Sequence, residues 1–541
     1  MLKGRFTKLC KQGINKWNLS LILLILLQVF FAIYWGMQKN DYHIDEIYSY
    51  GLSNSFYDPF LRNKEGWSEN WHEGKEFFDY VTVNEEDDFS FDSVVYNQSK
   101  DVHPPIYYFC LHLISSLQLG VFSKWQGLAL NLFFFTVTLV VIYVLTKEVL
   151  ENRLDALMVV GLYGFSAGAM STVVYIRMYM LLTLLCTCDG LLHIKMYRNS
   201  KKRYFVWLYI ITALGFMTQY YFVIEAFFIS AVYFFVCIST KEIKRSLQYA
   251  CVRIGALLST IVFYPYSLKH LFGGYRGKEA IGNFVNIDDF VNRIQEYLKI
   301  IEEQILSKEI LIILLLICFS CALCLWVKTK RVINVELIPR NYRMQLLKAG
   351  TILFCAVMYS LVITKISPYR TDRYLFCVYP FYTLAVYALF RGALYLIIGN
   401  KQVAVLIVSI ALMCGNAINY NNVNYLYRQN RTMNDLYAQY SGCNVLWVCD
   451  ESWKITELFL KLFEAKSTFV TSKENLQDEN KTTFNKFASG CDSEEFLVFE
   501  SKEYEKGEVI QILMDNKIIR NARELFATGY CNAYVCTSNI E

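Results

Sequence analysis

Asp45 and Glu46 stand side by side in HIDEIYSYGL, just after the first apolar run of the chain. Charges beside a bilayer are costly and persist mostly where they have a function. Other polar side chains recur at the ends of apolar runs. DVHPPIYY (101–108) carries Asp101 and His103, VVYIRMYM (173–180) carries Arg177 and Tyr179, and TQYYF (218–222) carries Gln219. YPYSLKHLFGGYRGKEA (264–280) brings His270 and Arg276, and SPYRTDRYLF (367–376) brings Arg373 and Tyr374. Carboxylates and arginines on one side of a membrane suit chemistry on a phosphate ester. Guanidinium forks match phosphate oxygens. Fixed cations stabilise the charge a phosphate leaving group gains, and a carboxylate can take the proton of an attacking hydroxyl. A lipid-linked sugar phosphate presents such a group at headgroup depth. A single carboxylate base predicts inversion at the sugar.

The elements that must position these residues follow from composition. The 541 residues are 55% hydrophobic, 16% aromatic and 19% charged, with a mean hydropathy of +0.28. A soluble chain carries more charge. The first apolar segment, 19–37, is long enough to cross about 30 Å of hydrocarbon. No small-residue cleavage site follows it, so it reads as a retained helix rather than a signal peptide. Further apolar segments lie near 126–146, 156–173, 177–196, 204–220, 221–238, 250–268, 309–327, 348–365, 374–393 and 402–419. The first eighteen residues hold five Lys and Arg and no acid, which places the N-terminus in the cytoplasm. Basic connections at 197–203, 241–246, 327–345 and 391–401 also belong inside. The alternation closes with eleven spans and leaves 420–541 outside. Within HPPIYYFCLHLISSLQLG (103–120), residues 103–118 read as a juxtamembrane or half-buried helix, with a tilted spanning helix as the alternative. Had it spanned, every later loop would invert.

The expected fold is therefore an α-helical polytopic membrane protein with an extracytoplasmic α/β domain at its C-terminal end. The membrane domain covers 1–425, with a first exterior loop and juxtamembrane helices at 38–125 and a second loop at 269–308. The first loop is acidic: residues 38–102 hold fifteen Asp and Glu against five Lys and Arg. In the second, DDFVNRIQEYLKIIEEQI has the apolar spacing of a surface helix. From 426 to 541 the character changes. NVLWVC, STFVTS and EFLVFES read as strands, separated by helical patterns near 453–465 and 507–514. No glycine-rich phosphate loop accompanies them, so this domain reads as accessory. Most of the seventeen cysteines lie inside apolar runs as small hydrophobes; the spacings are not those of a zinc or redox site. There is no basic stripe suited to nucleic acid.

Taken singly, each polar residue also fits a blander role: a solvated helix end, a turn, a side chain snorkelling to headgroups. Their gathering on one face argues otherwise, since exterior arginines run against the positive-inside bias.

The order Asp-Glu after the first helix, then DVHPPIYY, then RMY, then a late RY resembles the GT-C membrane glycosyltransferases. The likeness is closest to the protein O-mannosyltransferase and bacterial aminoarabinose-transferase branch, over roughly residues 15–395. The resemblance implies an inverting transferase that uses a polyprenyl-phosphate sugar, undecaprenyl phosphate being the bacterial carrier, at the extracytoplasmic face of the cell membrane. The acceptor would be an envelope glycan, lipid or protein. Asp45 would be the catalytic base, with Glu46 shaping the site and Asp101, His103, Tyr179 and Gln219 lining it. Arg177, Arg276 and Arg373, with Tyr374, are the candidates for the lipid phosphate on charge and placement. A divalent metal, Mg or Mn, near Asp45 and Asp101 is compatible with the family but not demanded by it. Two positions depart from its pattern: Lys124 in SKWQGLAL stands where an Arg is common, and Gln219 where many bacterial members have His. The rival readings are a transporter or flippase of a lipid-linked glycan and an envelope scaffold. No inverted repeat of the kind transporters show is present.

Overall fold

The computed structural model describes residues 16–61, 66–198, 201–285, 289–308, 340–478 and 481–539, with isolated positions 312 and 315. The chain divides into two compact units. One holds the residues up to Met37, Val102–Tyr107 and Leu128–Asn424. The other holds Gln38–Asp101, Tyr108–Gly127 and Tyr425–Glu541.

The first unit is helical, because backbone groups in hydrocarbon must find their hydrogen bonds within their own segment. Among the described residues, eight helices are long and apolar enough to cross a membrane: Lys16–Met37, Lys124–Leu150, Tyr179–Tyr197, Phe222–Ser239, Ile243–Phe263, Met344–Ile366, Phe376–Tyr395 and Lys401–Asn422. The segment expected to span near 156–173 is instead a pair, Arg153–Gly164 and Ala167–Val174, bent by 58°. Gly164 and Ser166 sit at the break, and such pairs are a regular cause of kinks. The Ser166 hydroxyl caps the second piece by accepting from the Ala169 N–H at 3.1 Å. Gly164 also makes room: Gln28, fully buried in the first helix, donates to the carbonyl of Val160 at 2.8 Å, and a Cβ on Gly164 would lie 2.3 Å from its amide. Helix Lys202–Phe216 has 15 residues, short of the about 20 an upright span needs. The expected segment 309–327, apart from the two isolated positions, lies outside the described residues. Helix Ile106–Ser116, at 11 residues, is shorter than a span.

One charged pair inside this bundle is held by several partners. Arg253 on helix Ile243–Phe263 reaches Asp189 on helix Tyr179–Arg198 through two nitrogens, at 3.2 and 2.7 Å. It also donates to the hydroxyls of Thr212 at 2.7 Å and Ser230 at 3.2 Å. His193, one turn from Asp189, meets the Tyr249 hydroxyl at 2.7 Å. Breaking a buried pair leaves a charge without compensation, whereas replacing both members by apolar groups need not. Arg253→Met is therefore expected to destabilise the protein by about 3 kcal/mol. Asp189→Leu/Arg253→Met should recover most of that loss in thermal unfolding of micellar protein.

The second unit is built on a six-stranded sheet in the order β1-β3-β2-β4-β6-β5. Its strands are β1 (Asn70–Glu73), β2 (Val445–Val448), β3 (Ser467–Thr471), β4 (Glu495–Ser501), β5 (Ile519–Ala527) and β6 (Cys531–Ser538). The three runs expected as strands are β2, β3 and β4, and they are parallel. Their burial on both faces explains their continuous apolar character. The other three strands are antiparallel additions. The hairpin β5–β6 pairs with β4 through β6, and β1, from the first loop, pairs with β3 in the register Asn70↔Val470.

Gln38–Asp101 and Tyr108–Gly127 therefore belong to this unit, whereas the sequence places 38–125 with the membrane domain. What holds the loop is specific. Trp71 stacks on Phe487 at 5.4 Å, and Gly490 leaves the space its indole fills. Glu69 accepts hydrogen bonds from Asn475 at 2.8 Å and Thr483 at 2.6 Å. Gly74 lets its helix approach the carbonyls of Leu462, Phe463 and Ala465, each within 3 Å of where a Cβ would sit.

Candidate active site

In the helical unit the expected arginines lie where regular helix gives way. Arg177 occupies the break between helices Ala167–Val174 and Tyr179–Arg198 and is buried. One of its terminal nitrogens donates to His103 Nε2 at 3.3 Å. That contact requires His103 to present an unprotonated Nε2, since a guanidinium only donates. Asn131, from helix Lys124–Leu150, holds the same break by donating to the carbonyls of Val173 at 2.9 Å and Tyr175 at 2.8 Å.

Arg373 lies in a single helical turn, Asp372–Tyr374, and is buried. It donates to the hydroxyls of Tyr175 at 2.8 Å and Tyr374 at 3.3 Å. Tyr175 stacks on Tyr179 with ring centroids 5.8 Å apart. Tyr374 meets Tyr179 edge-on at 6.5 Å and Tyr221 at 5.7 Å. The turn is steadied by Asp372, whose carboxylate accepts from Asn424 at 2.7 Å.

Arg276 comes from the second loop. A π-helical turn, Lys269–Gly273, precedes helix Tyr275–Val285. Only glycine fits at 277, where a Cβ would lie 2.1 Å from the carbonyl oxygen of Leu271. Arg276 pairs with Glu279 at 2.7 Å and donates to the Tyr369 hydroxyl at 3.2 Å. Burial works against its charge, but the hydrogen bonds to Tyr369 and Glu279 outweigh it and raise its hold on the proton. The guanidinium carbons of Arg276 and Arg373 lie 5.0 and 5.6 Å from the centre of the Tyr369 ring. One aromatic side chain thus carries two cations, an arrangement suited to a ligand with two or more negative oxygens.

Two further candidates fall beside this cluster. Gln219 is buried just past helix Lys202–Phe216, its backbone N–H donating to Gly215 at 3.1 Å. Its neighbour Tyr220 reaches across to His270 Nδ1 at 2.9 Å. The sequence singled out neither Tyr175 nor Tyr369. Their proximity to Arg177 and Arg373 in the chain is the one signal that points to them.

The carboxylates lie in the sheet-containing unit. Asp45 and Glu46 open helix Ile44–Asn54 with different fates. His43 is the N-cap; its Nδ1 accepts from the Asp45 N–H at 3.0 Å, and its ring lies 3.6 Å from the Asp45 carboxylate. The Asp45 side chain keeps 32% of its surface exposed. Glu46 is fully buried: its carboxylate accepts from the His43 N–H at 2.6 Å and pairs with Lys39 at 2.9 Å. Together these form a capping box. Of the adjacent pair, Glu46 is buried in the helix cap and Asp45 stays partly exposed. Asp101 ends helix Phe91–Lys100, where its N–H donates to Gln98 at 3.1 Å. Lys124 is turned to structural use, donating to the carbonyl of Lys39 at 2.6 Å. Among the described residues, no group of three or more His, Cys, Asp or Glu converges as a metal site.

The family model described as dolichyl-phosphate-mannose-protein mannosyltransferase matches residues 102–268. No curated protein sequence matches the chain at a significant level. Among solved structures, ArnT from Cupriavidus metallidurans, crystallised with undecaprenyl phosphate, is similar with a TM-score of 0.51 and 9% identity, over 96% of this chain and 98% of that one. The apo oligosaccharyltransferase of Archaeoglobus fulgidus aligns with a TM-score of 0.44 and 12% identity, over 96% of this chain and 74% of that one. The chain therefore shares the fold of ArnT and matches the mannosyltransferase family model over residues 102–268, which together support the GT-C resemblance carried by its sequence.

Proposed function

We propose that the protein is an inverting glycosyltransferase that moves a sugar from a polyprenyl-phosphate donor to a hydroxyl of an envelope acceptor, at the extracytoplasmic face of the membrane. The observation that carries this reading is the pair of guanidinium groups, Arg276 and Arg373, set about one tyrosine ring. The undecaprenyl phosphate bound to the ArnT neighbour supports a carrier of the same kind.

The acceptor oxygen attacks the anomeric carbon as the bond from that carbon to the phosphate oxygen breaks. The electron pair leaves with the lipid phosphate, which goes from one negative charge to about two near neutral pH. Arg276 and Arg373, with Arg177 held by His103, meet that added charge, so their effect is larger in the transition state than in the bound donor. The acceptor proton passes to the Asp45 carboxylate. Tyr175 and Tyr374 hold Arg373 in place, and the Tyr179 ring packs against both.

The test is transfer by the purified protein in liposomes from a panel of polyprenyl-phosphate sugars, with the product's anomeric configuration read by NMR. Inversion relative to the donor is expected. Retention would overturn the single-base mechanism, and donor movement across the bilayer without transfer would point to a flippase.

A further inference from the structure

Lys39 plays no part in the chemistry above, yet it is one of the most constrained charges in the chain. It lies two residues past helix Lys16–Met37, with its side chain and that of Glu46 both at 0% exposure. Its ammonium pairs with Glu46 at 2.9 Å and donates to the carbonyl of Tyr425 at 2.7 Å. The rings of Tyr42 and Tyr427 flank it at 5.6 and 5.4 Å. Burial pulls the ammonium below the usual lysine range, while Glu46 and Asp41 pull it back.

The backbone that receives it is strained. Tyr425 and Tyr427 have φ of +64° and +51°, a region that bulky side chains seldom occupy. Strain of this kind persists where surrounding contacts impose it, and it gathers at functional sites. Those contacts are visible on both strands of chain. Asn40 donates to Leu426 at 2.8 Å, Asn430 donates to Asp41 at 2.8 Å, and Asn434 donates to Asn40 at 3.2 Å. The Tyr425 ring meets His43 at 6.2 Å. From His43 the next hydrogen bond is to the Asp45 amide.

We infer that Lys39 is a positioning residue: clamped between Glu46 and the strained segment Tyr425–Tyr427, it fixes the first turn of helix Ile44–Asn54 and with it the Asp45 carboxylate. This inference rests on the reading of Asp45 as the base. It gives the segment after residue 424 a part in catalysis, where the sequence reads that domain as accessory. A buried ion pair is a poor source of net stability against an apolar replacement, so its retention here is explained by geometry.

The test uses full-length protein carrying Lys39→Met and Glu46→Gln together. Both charges go, and the amide oxygen introduced by Glu46→Gln can still accept from the His43 N–H, so the cap survives. The expected result is a kcat lower by about a hundredfold, the cost of a carboxylate displaced by about 1 Å, with donor KM and melting temperature near wild type. Glu46→Gln alone, which lets the buried lysine shed its proton, should lose as much. In an Asp45→Asn background, adding the two substitutions should cost less than about twofold more, because residues acting as one unit are not additive.

A wild-type kcat for the paired variant, with Asp45→Asn inactive, overturns the positioning role and leaves the base standing. So does a full additional hundredfold loss on top of Asp45→Asn, since Lys39 would then act elsewhere. An active Asp45→Asn overturns the base, and the positioning role with it.

Discussion

Asp45→Asn is expected to lower kcat by about 10³-fold, the midpoint of what a positioned general base supplies, without changing donor affinity or the melting temperature. The substitution is close to isosteric, and what holds the helix start is untouched. The cap is made by His43 and Glu46, and the Asp45 backbone N–H still finds His43 Nδ1. What is lost is the capacity to accept a proton. Single-turnover transfer at saturating donor, with donor binding measured separately, separates the two effects. If transfer falls in step with donor binding, Asp45 holds the donor and is not the base.

Arg373→Gln is expected to cost about 10²- to 10³-fold in kcat, the scale of removing one fixed donor from a developing oxyanion. Arg373→Lys should recover little of it. The guanidinium reaches Tyr175 and Tyr374 with separate nitrogens while lying against the Tyr369 ring; an ammonium is a point charge that cannot serve that fork and that face together. A lysine variant with near wild-type kcat would reduce Arg373 to a source of charge alone. Turnover of a soluble short-chain donor, measured beside the lipid donor, distinguishes phosphate stabilisation from tail binding.

Eight of the eleven expected spans were legible, because bilayer thickness sets a length that apolar runs either meet or miss. The bend at Gly164–Ser166 was not, because hydropathy is blind to a kink that keeps its composition. Strands β2, β3 and β4 announced themselves by apolar runs. β1 is NWHE, four residues with no apolar alternation, and only its partner makes it a strand. β5 is buried only at Ile519 and exposed or half-buried along the rest of its length, too polar on both faces to stand out from a loop.

Among the candidate site residues, the arginines stood out in the sequence because, on the expected topology, they run against the positive-inside bias. Their tyrosine partners did not: with 40 tyrosines in the chain, nothing local distinguishes Tyr175 or Tyr369 from the rest. The Asp45-Glu46 pair was found as a pair. The separation of its members needed Lys39, whose pairing with Glu46 depends on the helix start folding back over seven residues.

The edge strand β1 sets a schedule for synthesis. Asn70 pairs with Val470, so the first loop leaves the ribosome about four hundred residues before its partner exists. At 5–20 residues per second this is a wait of roughly 20–80 seconds. During that interval Trp71 and its neighbours have no Phe487 to stack on, and until the loop docks, β3 is an open edge of the kind that recruits foreign strands. Truncation before residue 467 would strand the loop permanently. Expression of 425–541 alone would release a sheet with that edge bare, and aggregation of that fragment is the expected outcome.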